Sequence, residues 1–162
     1  MRMIKAQPLN LHSFRKYGEY VDLFSQDFVS IGEPPVEFFR DILQQPLNTQ
    51  AAVSISTCLI QHRELTLDEL EMHSHTGEGS LSLDGDILLT VAPATTSGEP
   101  DVNAIEVYQV PKGTYVSIRP GVWHCAAFAS NRKSVHVMIV LPERAYANDC
   151  IKVKTTDLVR IE

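Results

Sequence analysis

Four side chains have the types and spacing for chemistry: His73, His75 and Glu78 in "EMHSHTGEG" (71–79), and His124 in "GTYVSIRPGVWH" (113–124). Run as a strand from 71 to 83 into a turn at Asp84-Gly85, the first segment places His73 and His75 on one face, about 7 Å apart. Glu78 joins them through a bulge, which Gly77 and Gly79 on either side permit. His124, after a turn glycine, a strand and a Pro-Gly turn, completes three imidazoles and a carboxylate if its strand neighbours the first. Such a set suits a first-row divalent metal, zinc, manganese, iron or nickel, with positions left open for substrate. Two other readings stand beside it: acid–base groups without a metal, and a polar strand running into a hairpin.

Around the second segment, Arg119, Lys112 and Tyr115 are candidates to meet an anionic substrate, with solvated turn residues as the competing reading. His136 in "SVHVMIVLP" alternates onto the face of Met138 and Val140, which makes it a pocket-wall candidate or an interior histidine. Trp123, Phe38 and Phe39 are candidates for pocket lining or core. Cys125 has no evident base beside it and reads as a packed residue facing away from His124.

The elements that must position these groups are mostly strands. Period-two alternation marks 51–60, 86–93, 104–110, 114–118, 123–129 and 134–142. Turn sequences such as "LDGD", "PKG", "RPG" and "SNRK" separate them. The best helix candidate is 11–18, with Asn10 as cap and Gly18 as stop; 34–45 reads as a second short helix or an irregular strand. Many short strands with so few helices point to an all-β antiparallel sandwich or barrel, in one domain spanning 1–162. Within it, residues 1–50 form an N-terminal elaboration on a barrel core of 51–162.

Composition narrows the partners. The 162 residues are 44% hydrophobic and 21% charged with a net charge of −6, which argues against broad binding to nucleic acid or an anionic membrane. Cys58, Cys125 and Cys150 are odd in number and widely spaced, so a disulfide framework or thiolate zinc site is not expected and a reducing cytosol fits. The first residues hold no continuous apolar run and no membrane span is apparent. A cytoplasmic, soluble protein is the expectation, and an anionic small substrate is not excluded, since a pocket can be locally positive inside an acidic protein.

The spacing resembles the two cupin motifs. His73, His75, Glu78 and Gly85 match the first, with two residues in place of three or four between His75 and Glu78. Gly113, Gly121 and His124 match the second, with Pro120 one place late. The fold this implies is the cupin-type antiparallel β-barrel, or double-stranded β-helix, with few short helices. More closely, the chain resembles the ureidoglycolate lyase family over nearly its whole length, in "PLNLHSFRKYGEYVD" (8–22), "LTLDELEMH" (65–73), "GVWHCAAFA" (121–129) and "NDC" (148–150). The resemblance implies a usually dimeric enzyme that splits ureidoglycolate into glyoxylate and urea in purine (allantoin) catabolism. His73 and His124 then match the family's active-site histidines, and Trp123 their aromatic neighbour.

The departures are chemical. His75 and Glu78 replace an apolar residue and a glutamine, while Thr57 and Pro120 stand where the family usually has arginine. Lost arginines remove bidentate partners for a carboxylate, whereas the gained residues restore metal ligands. Three function classes follow: a metal-assisted lyase in which His73, His124 and Glu78 are catalytic; a metal cupin with oxygenase or isomerase chemistry on a small organic acid; and a non-catalytic cupin binding a small ligand.

Overall fold

Alternating apolar and polar residues become strands because each strand then buries one face and hydrates the other. The computed structural model describes residues 2–162, with only the backbone of Thr156. In chain order the strands are β1 (Arg2–Ile4), β2 (Gln7–Pro8), β3 (Gly18–Asp22), β4 (Ser30–Glu33), β5 (Val36–Phe39), β6 (Val53–Gln61), β7 (Thr66–Met72) and β8 (Glu78–Ser82). There follow β9 (Ile87–Ala92), β10 (Glu106–Val110), β11 (Thr114–Ile118), β12 (Trp123–His124), β13 (Phe128–Ala129), β14 (Ser134–Pro142) and β15 (Ile151–Ile161). Two one-turn α-helices, α1 (Leu11–Phe14) and α2 (Ala145–Asn148), and a 3₁₀ turn at Val102–Ala104 interrupt them.

One sheet runs β1-β15-β7-β12-β9-β10-β2, with β13 also on β9, and the other runs β3-β11-β8-β14-β6. Pairing is antiparallel except β1 with β15 and β2 with β10. The first twenty-odd residues therefore enter the sheets themselves, as edge strands. The main core holds Phe14, Tyr17, Leu89, Tyr108, Val116 and Val137 from both sheets. A second cluster packs Trp123 with Leu70, Ile105 and Val159. All six residues of β9 are buried, Thr90 among them, because both of its faces are covered.

Several expected elements take other forms. Asn10 caps α1, accepting the Ser13 N–H at 3.0 Å, but the helix stops at Phe14 and Gly18 opens β3. Phe14 and Tyr17 both turn into the core, and a Cβ at position 18 would lie 1.9 Å from the Ser117 carbonyl oxygen. Segment 34–45 supplies β5 of a hairpin with β4, leaving Phe38 exposed on the surface. The expected strand over 71–83 is two strands, β7 and β8, with an irregular turn between. The run 123–129 is two short bridges. β15, the longest strand, was not anticipated; its alternation is blurred by Thr155, Thr156 and Asp157, where the register with β7 shifts.

Candidate active site

The break between β7 and β8 builds the site. Asp149, just after α2, gathers the loop with its carboxylate, which accepts the backbone N–H groups of Ser74, His75 and Thr76 at 2.8, 2.9 and 3.1 Å. The Ser74 hydroxyl adds a fourth donor at 2.7 Å. Burial would raise the Asp149 carboxyl, yet these donors hold it well below the usual carboxylate range. The Arg119-Pro120-Gly121 turn is tied to the same place. Gly121, at φ 81°, donates its N–H to the His73 carbonyl at 2.7 Å, which brings the two histidine segments together.

His73, Glu78 and His124 converge inside a cavity of about 330 Å³ between the sheets, whose walls include Ile87, Leu89 and Val137. His73 and His124 are 4% and 3% exposed. Their rings lie 5.4 Å apart, and Glu78 Oε2 is 3.2 Å from His73 Nε2 and 3.5 Å from His124 Nε2. Each Nδ1–H donates to a backbone carbonyl: His73 to Asp149, and His124 to Val122 at 3.0 Å. Those bonds fix both rings with Nε2 toward the carboxylate, the arrangement that orients histidine ligands in metal centres.

Two Nε2 lone pairs facing a carboxylate repel it unless a cation lies between. In the metal-free cluster a proton takes that place. Burial by itself would lower His124, but the charge of Glu78, 3.5 Å away, pushes it up to about 9. His73 is also raised: burial opposes, and its bonds to Glu78 and the Asp149 carbonyl prevail. Burial would raise Glu78, but the charge of His124 and the bond and charge of His73 hold it down at about 2. The donor set also fits a divalent metal. One nitrogen from each histidine and a carboxylate oxygen all lie within 4.8 Å of one another, and His124 Nε2 is buried without a hydrogen-bond partner among the described residues. Two imidazoles and a carboxylate leave coordination positions free for substrate.

The structure does not bring His75 into this set. Its side chain is 87% exposed, because the turn gathered by Asp149 ends the strand alternation one residue earlier. Its Nδ1 lies 2.7 Å from the Ser74 hydroxyl instead. The other pocket candidates also lie elsewhere. Trp123 is fully buried in the second core cluster, donating its Nε1–H to Thr95 Oγ1 at 3.2 Å. Tyr115 is on the outer face of β11, donating its hydroxyl to Gln45 at 3.1 Å. Arg119 bonds the Arg15 carbonyl at the surface. His136 points outward from β14 to Asp84, at 2.7 Å, since Val135 and Val137 take the inward face.

Groups not singled out in the sequence line the cavity too: Glu71, Tyr146, Cys150 and Lys152. Alternation carries part of the signal, since Glu71 precedes His73 by two and Cys150 precedes Lys152 by two. All three cysteines line the cavity. Burial pushes the Cys125 thiol up to about 12, and burial with the nearby Glu71 pushes Cys150 up to about 11, so neither is a ready thiolate nucleophile.

Two facing, mostly antiparallel sheets with an imidazole–carboxylate cluster between them define a cupin-type barrel. Residues 1–162 match the family described as ureidoglycolate lyase, and the chain belongs to that family. It is 24% identical over 149 residues to the ureidoglycolate lyase of Escherichia coli SMS-3-5, covering 91% of each chain. The same identity and coverage hold for the enzyme of Shigella boydii serotype 18. Among solved structures, it is similar to a dTDP sugar isomerase from Desulfovibrio desulfuricans G20, with 14% identity, TM-score 0.47 and 78% and 80% of the two chains covered. It is also similar to Bacillus subtilis oxalate decarboxylase, with 17% identity, TM-score 0.41 and 76% and 33% covered. No helix among the described residues is long and apolar enough to cross a membrane.

Proposed function

We propose that the chain cleaves the carbon–nitrogen bond of ureidoglycolate, giving glyoxylate and urea, as a metal-assisted lyase acting in the cytoplasm as a homodimer. The observation that carries this is the His73, Glu78, His124 cluster, buried in the cavity of a chain that belongs to the ureidoglycolate lyase family. These three residues would hold the divalent metal, which when bound supplies Lewis-acid polarisation of the substrate's hydroxyl and carboxylate oxygens. Chelation of a 2-hydroxy acid replaces the arginine recognition lost at Thr57 and Pro120.

The chain's own groups move the proton. Both imidazoles contact Glu78 through Oε2, which leaves Oε1 to accept the carbinol proton. The electron pair of that O–H forms the glyoxylate carbonyl as the carbon–nitrogen bond breaks. The pair of the broken bond goes to the urea nitrogen, and Glu78 returns the proton there, so one carboxyl serves as base and then acid. The apolar walls limit water and strengthen these interactions. Support for the homodimer comes from β6, an edge strand exposing Val53, Ile55 and Leu59.

One observation favours a second reading, a metal cupin acting on another small organic acid: the changed residues at Thr57 and Pro120. Glyoxylate and urea release from ureidoglycolate, measured before chelation, after it and after metal restoration, decides between them. Turnover lost to chelator and restored by one metal is expected. Turnover indifferent to chelator removes the metal, and no turnover with any metal removes ureidoglycolate.

A further inference from the structure

One wall of the cavity carries polar groups that the cluster does not employ. In the strand register Glu71 lies opposite His124 on one side and opposite Lys152 on the other. Cross-strand partners share a face of the sheet, and all three line the cavity, so His124, Glu71 and Lys152 form a row across it. Neighbouring strands are about 4.8 Å apart, which puts the far end of the row within a small molecule's length of the cluster. Lys152 Nζ stands 3.2 Å from Glu71 Oε2, and the Cys150 thiol donates to the same oxygen at 3.4 Å.

Stability does not explain this pair. The Lys152 side chain is 57% exposed, and ion pairs so open to water contribute little to a fold. Lys152 is also the one lysine or arginine lining the cavity among the described residues. An ammonium beside a carboxylate offers a donor and an acceptor side by side. That is the complement of an amide or ureido end, whose carbonyl accepts and whose N–H donates. A carboxylate end, which only accepts, would be repelled by Glu71.

We infer that Glu71 and Lys152 form the subsite for the ureido end of the substrate, Lys152 donating to its carbonyl oxygen and Glu71 accepting from its terminal N–H. The acid end is thereby directed to His73, Glu78 and His124. This rests on the ureidoglycolate reading and deepens it by giving each end of the molecule its own partners.

Two unreactive probes separate the subsite from the reaction. N-carbamoylglycine has the ureido and acid ends without the carbinol hydroxyl, and glycolate has the hydroxyl and acid without the ureido end. Calorimetric titration of purified Lys152→Met and Glu71→Gln should show N-carbamoylglycine weakened about ten-fold or more, the cost of a charged hydrogen bond. Glycolate binding should stay near the wild-type value, which also reports an intact fold. Equal weakening of both probes would overturn the inference by making the pair a partner of the acid end or a general support of the site. Unchanged N-carbamoylglycine binding, or none to the wild type, would overturn it as well. Failure of the lyase reading looks different: the probes discriminate as expected, and ureidoglycolate is bound but not cleaved.

Discussion

Two inward-lying carboxylates, Glu78 and Glu106, show how one fold treats the same group in two ways. Glu106 on β10 is matched by Lys16, by the Tyr108 hydroxyl and by Gln7 at 3.4 Å. Phe14 and Tyr108 pack edge-on nearby, with ring centroids 5.2 Å apart. Among the described residues Glu78 on β8 has no lysine or arginine partner, only two imidazoles, and beside it a cavity instead of packing. Both carboxyls are held below their ordinary range against the opposing effect of burial, Glu106 chiefly by Lys16 and Tyr108, Glu78 by the histidines. A lowered carboxyl therefore does not by itself mark a reactive one. The difference lies in what surrounds it: a closed set of donors and a counter-charge, against a half-satisfied cluster open to a ligand.

The largest expected effect tests that difference directly. Glu78→Gln should lower turnover about 10²–10⁴-fold and abolish calorimetric metal binding with the fold retained by circular dichroism. Glu106→Gln should leave kcat near wild type. A Glu106 variant as inactive as the Glu78 one would end the comparison.

Next in size is Asp149→Ala, which loosens the turn that holds His73 in place. Metal affinity by competition with a chromophoric chelator should fall about 10–100-fold, as for other residues that orient metal ligands. An unchanged affinity would mean that the Asp149 backbone carbonyl suffices.

The pH response separates the two carboxylates more finely. In metal-free protein His124 sits above its ordinary value, so its contribution is full at acid pH below 6.5 and lost as pH rises through about 9. Both carboxyls, being lowered, contribute above the ordinary carboxylate range and are lost only at acid pH. The urea midpoint of metal-free protein should therefore fall between pH 6.5 and about 9. Saturating metal should flatten that fall by replacing the proton, while Glu106→Gln should leave its shape intact. A fall unaffected by His124→Gln would refute this source.

His75→Ala should have the smallest effect, with kcat and metal affinity within about two-fold of wild type, as befits an exposed side chain. A large loss of metal would restore it as a ligand.

Strand content and the two histidine segments were legible because both are local; that the segments meet was conditional on their strands being neighbours, as β7 and β12 are. Alternation marked β6, β9, β11 and β14, and the Pro-Gly turn before His124 marked where the second segment must bend. The family resemblance rested on short quoted stretches of the same kind. What alternation misplaced was every residue whose orientation depends on a distant one. His75 was put beside His73 because a continuous strand would put it there; Asp149, more than seventy positions away, ends that strand. For Trp123 alternation leaves pocket lining and core both open; the sheet has two apolar faces, His124 takes the inner one, and Trp123 packs into the second core cluster.

By itself, then, the sequence determined an antiparallel sandwich or barrel, which the family resemblance narrowed to a barrel, and the histidines and glutamate able to do chemistry in it, since side-chain period and residue type are properties of short segments. The tertiary structure alone decided which three of the four would meet, that Glu106 is paired while Glu78 faces a cavity, and that Lys152 and Glu71 share a wall with the cluster. Those outcomes depend on strand register and on hydrogen bonds between remote backbone groups, and neither is encoded within any one segment.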